Sequence, residues 1–104
     1  MWQDGAIDLS SDELCLIDSG ITSLADIPLR PNIKTLNLHC NHIGRIEQLH
    51  NLTFLRYLDL SSNRISKIEG LGGLVSLRVL NLSCNLIEVV EGLENLRYMC
   101  ELDI

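Results

Sequence analysis

Aromatic residues are nearly absent from this chain. One Trp, two Tyr and one Phe make up 4% of its 104 residues, so rings cannot supply the core and there are few stacking platforms for nucleobases. Positive charge is also short: 8 Lys and Arg stand against 14 Asp and Glu, a net charge of −6. No basic patch with interleaved aromatics is visible, so a nucleic-acid backbone is not expected as the main partner. No apolar run reaches spanning length, and residues 1–10 lack the basic and apolar regions of a secretory signal. The expectation is a soluble, intracellular chain with no membrane partner.

Cysteine pairing signals are missing as well. Cys15, Cys40, Cys84 and Cys100 contain no C-x-x-C pair, which leaves a zinc site without its ligand spacing. Cys40 and Cys84 share a place in the pattern described below but lie two periods apart, roughly 10 Å at ~4.8 Å per stacked strand, too far for a disulfide. Free, partly buried thiols are expected. His39, Cys40 and His42 resemble a metal cluster on paper, but a turn at Asn41 sends their side chains in different directions. No Gly-rich phosphate loop is present either, because Gly70-Leu-Gly-Gly73 does not join a strand to a helix. Ser, His and Asp sit where the pattern puts them, and no reacting geometry can be drawn from them. Neither an enzyme nor a cofactor is expected.

What the chain does have is a repeat of 22 residues. Positions 1, 4, 6, 11, 14, 17 and 20 read Ile33, Leu36, Leu38, Ile43, Ile46, Leu49 and Leu52 in one block. The next gives Leu55, Leu58, Leu60, Ile65, Ile68, Leu71 and Leu74. The third gives Leu77, Leu80, Leu82, Ile87, Val90, Leu93 and Leu96. Position 9 is Asn each time: Asn41, Asn63 and Asn85. This L-x-x-L-x-L-x-x-N-x-I spacing is the leucine-rich-repeat signature. It predicts an α/β solenoid, a right-handed superhelix with a parallel β-sheet on its concave face and short helical or irregular segments on its convex face.

Each spacing has a physical reason. Positions 4 and 6 alternate with polar residues, as a strand with one buried face does. Asn at position 9 ends the strand by bonding backbone groups, and stacked amides form a structural ladder of Asn41, Asn63 and Asn85. Positions 11, 14, 17 and 20 turn inward from the return segment. The expected organisation is an N-terminal cover at 1–10, with Trp2 packed over the first repeat, and a repeat domain at 11–104. Within that domain lie blocks 11–32, 33–54, 55–76 and 77–98 and a partial block 99–104. Block 11–32 is atypical: Ser19 replaces Asn, Ser11 and Arg30 replace aliphatics, and Pro28 and Pro31 stiffen its exit. The last block stops at Met99, Leu102 and Ile104, before its Asn turn. The expectation is a fragment, a short isoform or an incomplete gene model, self-associating through an open C-terminal edge.

The strand face turned away from the core is the candidate protein-binding surface. Its residues are Thr35, Asn37 and His39, then Tyr57, Asp59 and Ser61, then Val79, Asn81 and Ser83. The repeat does not dictate these side chains, and Tyr57 is the one aromatic among them. On the outer side, Glu47, Glu69 and Glu91 recur with Arg45 and Lys67 two residues earlier, as a solvated, ion-paired face does.

The L-x-x-I-x-x-I-E-G-L rhythm resembles the repeats of the regulatory leucine-rich subunit of type-1 protein phosphatase and of axonemal dynein light chains. Three strings are more particular: Leu36-Asn-Leu-His-Cys-Asn41, Leu58 to Leu71, and Leu80-Asn-Leu-Ser-Cys-Asn-Leu-Ile87. Over about residues 12–98 they look like the N-terminal repeats of the centrosomal leucine-rich repeat and coiled-coil proteins. That resemblance implies a non-catalytic interaction module of a centrosome or centriole scaffold, with a role in centrosome integrity and mitotic spindle organisation. It implies protein partners of the centrosome or cytoskeleton, and a place in the cytoplasm at the centrosome or centriole. The alternative is a regulatory or targeting subunit that binds a phosphatase or a dynein motor.

Overall fold

The structure, a computed structural model, describes residues 10–104. The cover assigned to 1–10, including Trp2, lies outside the described residues except for Ser10. Five short parallel strands form one sheet in sequence order: β1 (Glu13–Cys15), β2 (Thr35–Asn37), β3 (Tyr57–Asp59), β4 (Val79–Asn81) and β5 (Glu101–Asp103). Every pairing joins a residue to the one 22 positions on. Leu14 faces Leu36, Leu36 faces Leu58, Leu58 faces Leu80, and Leu80 faces Leu102. A constant offset of one repeat is what a stack of equal coils requires, so the chain is a solenoid. Among the described residues, no helix is long and apolar enough to cross a membrane.

The aliphatic positions line the inside of the coils. All seven in block 33–54 and all seven in block 55–76 are buried. Each is covered by the coil before and the coil after, which is why these two blocks form the densest part of the core. In block 77–98, Leu77, Leu80, Leu82 and Leu96 are buried, Ile87 and Leu93 only partly so, and Val90 is 64% exposed. Val90 therefore corrects the inward assignment of position 14. Within these residues the fifth coil contributes only 99–104, so the return segment around Val90 has a neighbour on one side alone.

The return segments are turns and irregular extended chain. Among the described residues their one helical element is a 3-10 turn, Leu24–Asp26, started by Ser23, whose hydroxyl accepts the Ala25 N–H at 3.1 Å. Position 16 takes positive φ in three successive coils: Gln48 (66°), Gly70 (71°) and Gly92 (71°). A Cβ at Gly70 would sit 2.8 Å from the Ile46 carbonyl oxygen, and one at Gly92 2.8 Å from that of Ile68. The stack itself thus demands glycine there. Gln48 is the non-glycine residue at this place, and the coil before it carries the 3-10 turn there.

Candidate functional site: the outer face of the sheet

Alternation in the strands turns positions 3 and 5 away from the leucine core. Position 3 gives a column of Glu13, Thr35, Tyr57, Val79 and Glu101, exposed at its acidic ends and half-buried between. Tyr57, Val79, Asn81, Glu101 and Asp103 border an open depression of ≈ 330 Å³ over β3–β5. Tyr57 is thus the wall of a shallow groove as well as its aromatic.

Position 5 behaves differently from the expectation that the repeat leaves it free. In the three middle strands each side chain folds back on its own strand end. Asn37 Oδ1 accepts the His39 N–H at 3.1 Å, Asp59 Oδ1 accepts the Ser61 N–H at 2.9 Å, and Asn81 Oδ1 accepts the Ser83 N–H at 3.0 Å. These Asx turns close the strands, a job the sequence reading gave to position 9. Two candidate residues are moreover buried rather than presented: Asp59 is 8% and Ser61 4% exposed. Tyr57 and His39 shield them. The pattern Asn-x-His, Asp-x-Ser, Asn-x-Ser at positions 5 and 7 was the signal that could have revealed this.

The shielding groups are bonded into one chain. Ser61 Oγ donates to Asp59 Oδ1 at 2.5 Å, and Tyr57 Oη donates to Asp59 Oδ2 at 3.4 Å. Ser61 has one hydroxyl proton, and Asp59 takes it. His39 Nδ1, 2.7 Å from Ser61 Oγ, must then be the donor of that bond. Nδ1 carries a proton, and Nε2 is left for whatever meets the face. Tyr57 is tied to the same carboxylate. Partial burial, then the Asp59 charge and hydrogen bond, then the Glu101 charge, hold its phenol above the ordinary value of 10.0.

Ser61, His39 and Asp59 therefore do meet, a constellation that sequence reasoning missed. The order of their protons is not that of a nucleophile. An activated serine gives its proton to the imidazole, whereas here the imidazole donates to the serine and the serine to the carboxylate. The chain fixes side chains in place rather than preparing one to react.

Behind the face, position 9 knits coils together. Asn41 Oδ1 accepts the N–H groups of Ser19 and Ile21, each at 3.0 Å, and its Nδ2 donates to the carbonyls of Leu16 and Leu38, each at 2.9 Å. Asn63 accepts from Ile43 N–H and donates to Leu38, Leu60 and Ser61. Asn85 accepts from Ile65 N–H and donates to Leu60, Leu82 and Ser83. Each amide serves its own coil and the one before.

The thiols correct an expectation: all four cysteines are exposed, not partly buried. Cys40 and Cys84 occupy position 8, where Asp18, Cys40, Ser62 and Cys84 all take φ between 51° and 62°. That left-handed turn points the side chain out of the coil. On the outer side Arg45 reaches Glu69 of the next coil at 3.6 Å rather than its own Glu47.

Coils of fixed length, strands in register at one repeat and an internal Asn ladder define a leucine-rich-repeat solenoid, a protein-interaction class. Residues 31–73 and 53–98 match the family described as Leucine Rich repeats (2 copies). Together these segments cover more than half of the sequence, and the chain belongs to that family. It is also similar to the leucine-rich repeat and coiled-coil domain-containing protein 1 of Xenopus laevis, 52% identical over 46 residues, 44% of this chain and 4% of the relative. The human protein of that name is 46% identical over 56 residues, and the mouse protein 47% over 55, in each case 5% of the relative. The matches span about one-twentieth of these curated relatives.

Proposed function

We propose that this chain is a non-catalytic protein-interaction module of a centrosome or centriole scaffold, contributing to centrosome integrity and spindle organisation. The observation that carries the interaction role is the groove walled by Tyr57 and Val79 on a sheet face whose polar groups are already fixed. A surface of this kind offers a preorganised aromatic anchor at little entropic cost on binding. The scaffold setting is supported by the likeness to leucine-rich repeat and coiled-coil proteins.

The test is recruitment of the tagged chain to centrosomes in dividing cells. Tyr57→Ala with Val79→Lys should abolish it, while Glu91→Lys on the outer return should leave it intact. Asp59 is avoided, since a lysine there would break the Asx turn and confuse folding with binding. Diffuse localisation of the parent chain, or equal recruitment of the Tyr57 and Val79 variant, would refute the proposal.

A further inference from the structure

The linear sequence shows no basic run with interleaved aromatics, yet the coils assemble one. Position 2 is basic in three successive coils: Lys34, Arg56 and Arg78, all exposed. Their backbones are stacked directly, Arg56 N–H on the Lys34 carbonyl at 2.8 Å and Arg78 N–H on the Arg56 carbonyl at 2.9 Å. Lys34 is engaged by Asp12 at 3.8 Å. Among the described residues no carboxylate lies within ion-pair distance of Arg56, Arg78 or Arg97. Just before the strands, positions 21 and 22 bring exposed apolar groups to the same rim: Phe54 (60%), Val75 (51%) and Tyr98 (69%). Val75, Arg97 and Tyr98 join Gly72 and Asn95 around a depression of ≈ 280 Å³.

No Asp or Glu occurs in 31–34, 53–56, 75–78 or 97–100, the segments that make up this rim. The acidic residues sit elsewhere, on the turns and outer returns (Glu47, Glu69 and Glu91, with Glu88 and with Glu94 beside the Asn95 of this depression) and on the sheet face. A Debye length of about 8 Å screens the more distant of these charges from the rim. We propose that the rim is a second interaction surface, which takes a short acidic polypeptide segment carrying one aromatic or aliphatic anchor. Its carboxylates pair with the Arg56 and Arg78 guanidinium groups, whose fork geometry suits them. The anchor rests against Val75 and Tyr98. Asp12 at one end and Glu101 at the other close the basic stripe, so it matches a segment a few residues long and opposes a continuous polyanion. This surface is distinct from the groove at Tyr57 and does not depend on it.

The experiment is fluorescence anisotropy of the full chain with a labelled peptide of alternating Glu and Ser bearing one Trp. A peptide with Lys for Glu, one with Ala for Trp, and a single-stranded oligonucleotide of equal charge serve as rival probes. The acidic Trp peptide should bind tightest, and raising salt to about 0.5 M should weaken it severalfold. Arg56→Glu with Arg78→Glu should cost about tenfold or more in affinity, and Tyr98→Ala severalfold. Arg45→Glu with Lys67→Glu, on the outer return, should change it less than about twofold. Circular dichroism checks folding, and Arg56→Gln with Arg78→Gln decides if the charge reversal unfolds the chain. Preference for the Lys peptide or the oligonucleotide, or equal loss from the outer pair, would overturn the inference.

Discussion

Not every rung of the Asn ladder carries the same weight. Replacing Asn63 by Ala removes the acceptor for Ile43 N–H and the donor to three carbonyls. Those carbonyls keep other partners: Leu38 has Asn41, Leu60 has Asn85, and Ser61 has the Cys40 N–H. One buried N–H is orphaned, which costs about 1–3 kcal/mol, with a smaller loss for the redundant bonds. Asn41→Ala is worse. It strands the N–H groups of Ser19 and Ile21 and the Leu16 carbonyl, for which no substitute lies among the described residues. Two buried groups and one part-buried group against one put its cost at about 2–6 kcal/mol, comparable with the whole stability of a small domain. Urea denaturation of parent and variants reads the difference. At a slope of about 2 kcal/mol per molar, Asn63→Ala should lower the midpoint by about 1 M and Asn41→Ala by twice that or more. An Asn63→Ala midpoint equal to the parent's, or Asn41→Ala the milder of the two, would refute the bond-by-bond reasoning.

Gly70→Ala should destabilise the chain by about 2 kcal/mol or more, since it combines a left-handed backbone with a Cβ 2.8 Å from the Ile46 carbonyl oxygen. Thermal melting checks it. Tyr57 links stability to alkaline pH. Its phenol is held above 10.0 in the fold, so its contribution is complete below about pH 10 and is lost as pH rises through the folded value. The melting temperature should therefore fall as pH rises past about 10, and Tyr57→Phe should flatten part of that fall. The isolated 104-residue chain exposes Leu86, Val90, Leu102 and Ile104 at one end of the stack, and we expect concentration-dependent association in sedimentation. Joining a polar capping repeat after Ile104 should abolish it.

The fold was legible because the repeat writes the same instruction several times. Leu36, Leu58 and Leu80 are buried side by side since each occupies position 4, and the register follows from the period. The face was legible only in part. Position 3 could be read as outward from alternation, but the Asx turns at Asn37, Asp59 and Asn81 depend on contacts two residues along the chain, which hydrophobic spacing does not record. The burial of Asp59 and Ser61 depends on Tyr57 and His39, the latter from a neighbouring coil. The rim is harder still, because Lys34, Arg56 and Arg78 are scattered in sequence and stack only when coils of 22 residues are laid on one another.

That constant offset of 22 also determines how the molecule responds to tension. Every coil is held to the next by strand pairing, and the full coils by their Asn bonds as well, and among the described residues none of these bonds skips a coil. Pulling on the two ends would detach coils singly from an extremity, each releasing 22 residues or about 75 Å of contour. The resistance should be a series of similar small steps instead of one large rupture. Under load, such a stack would lengthen by increments and rewind when the load is removed.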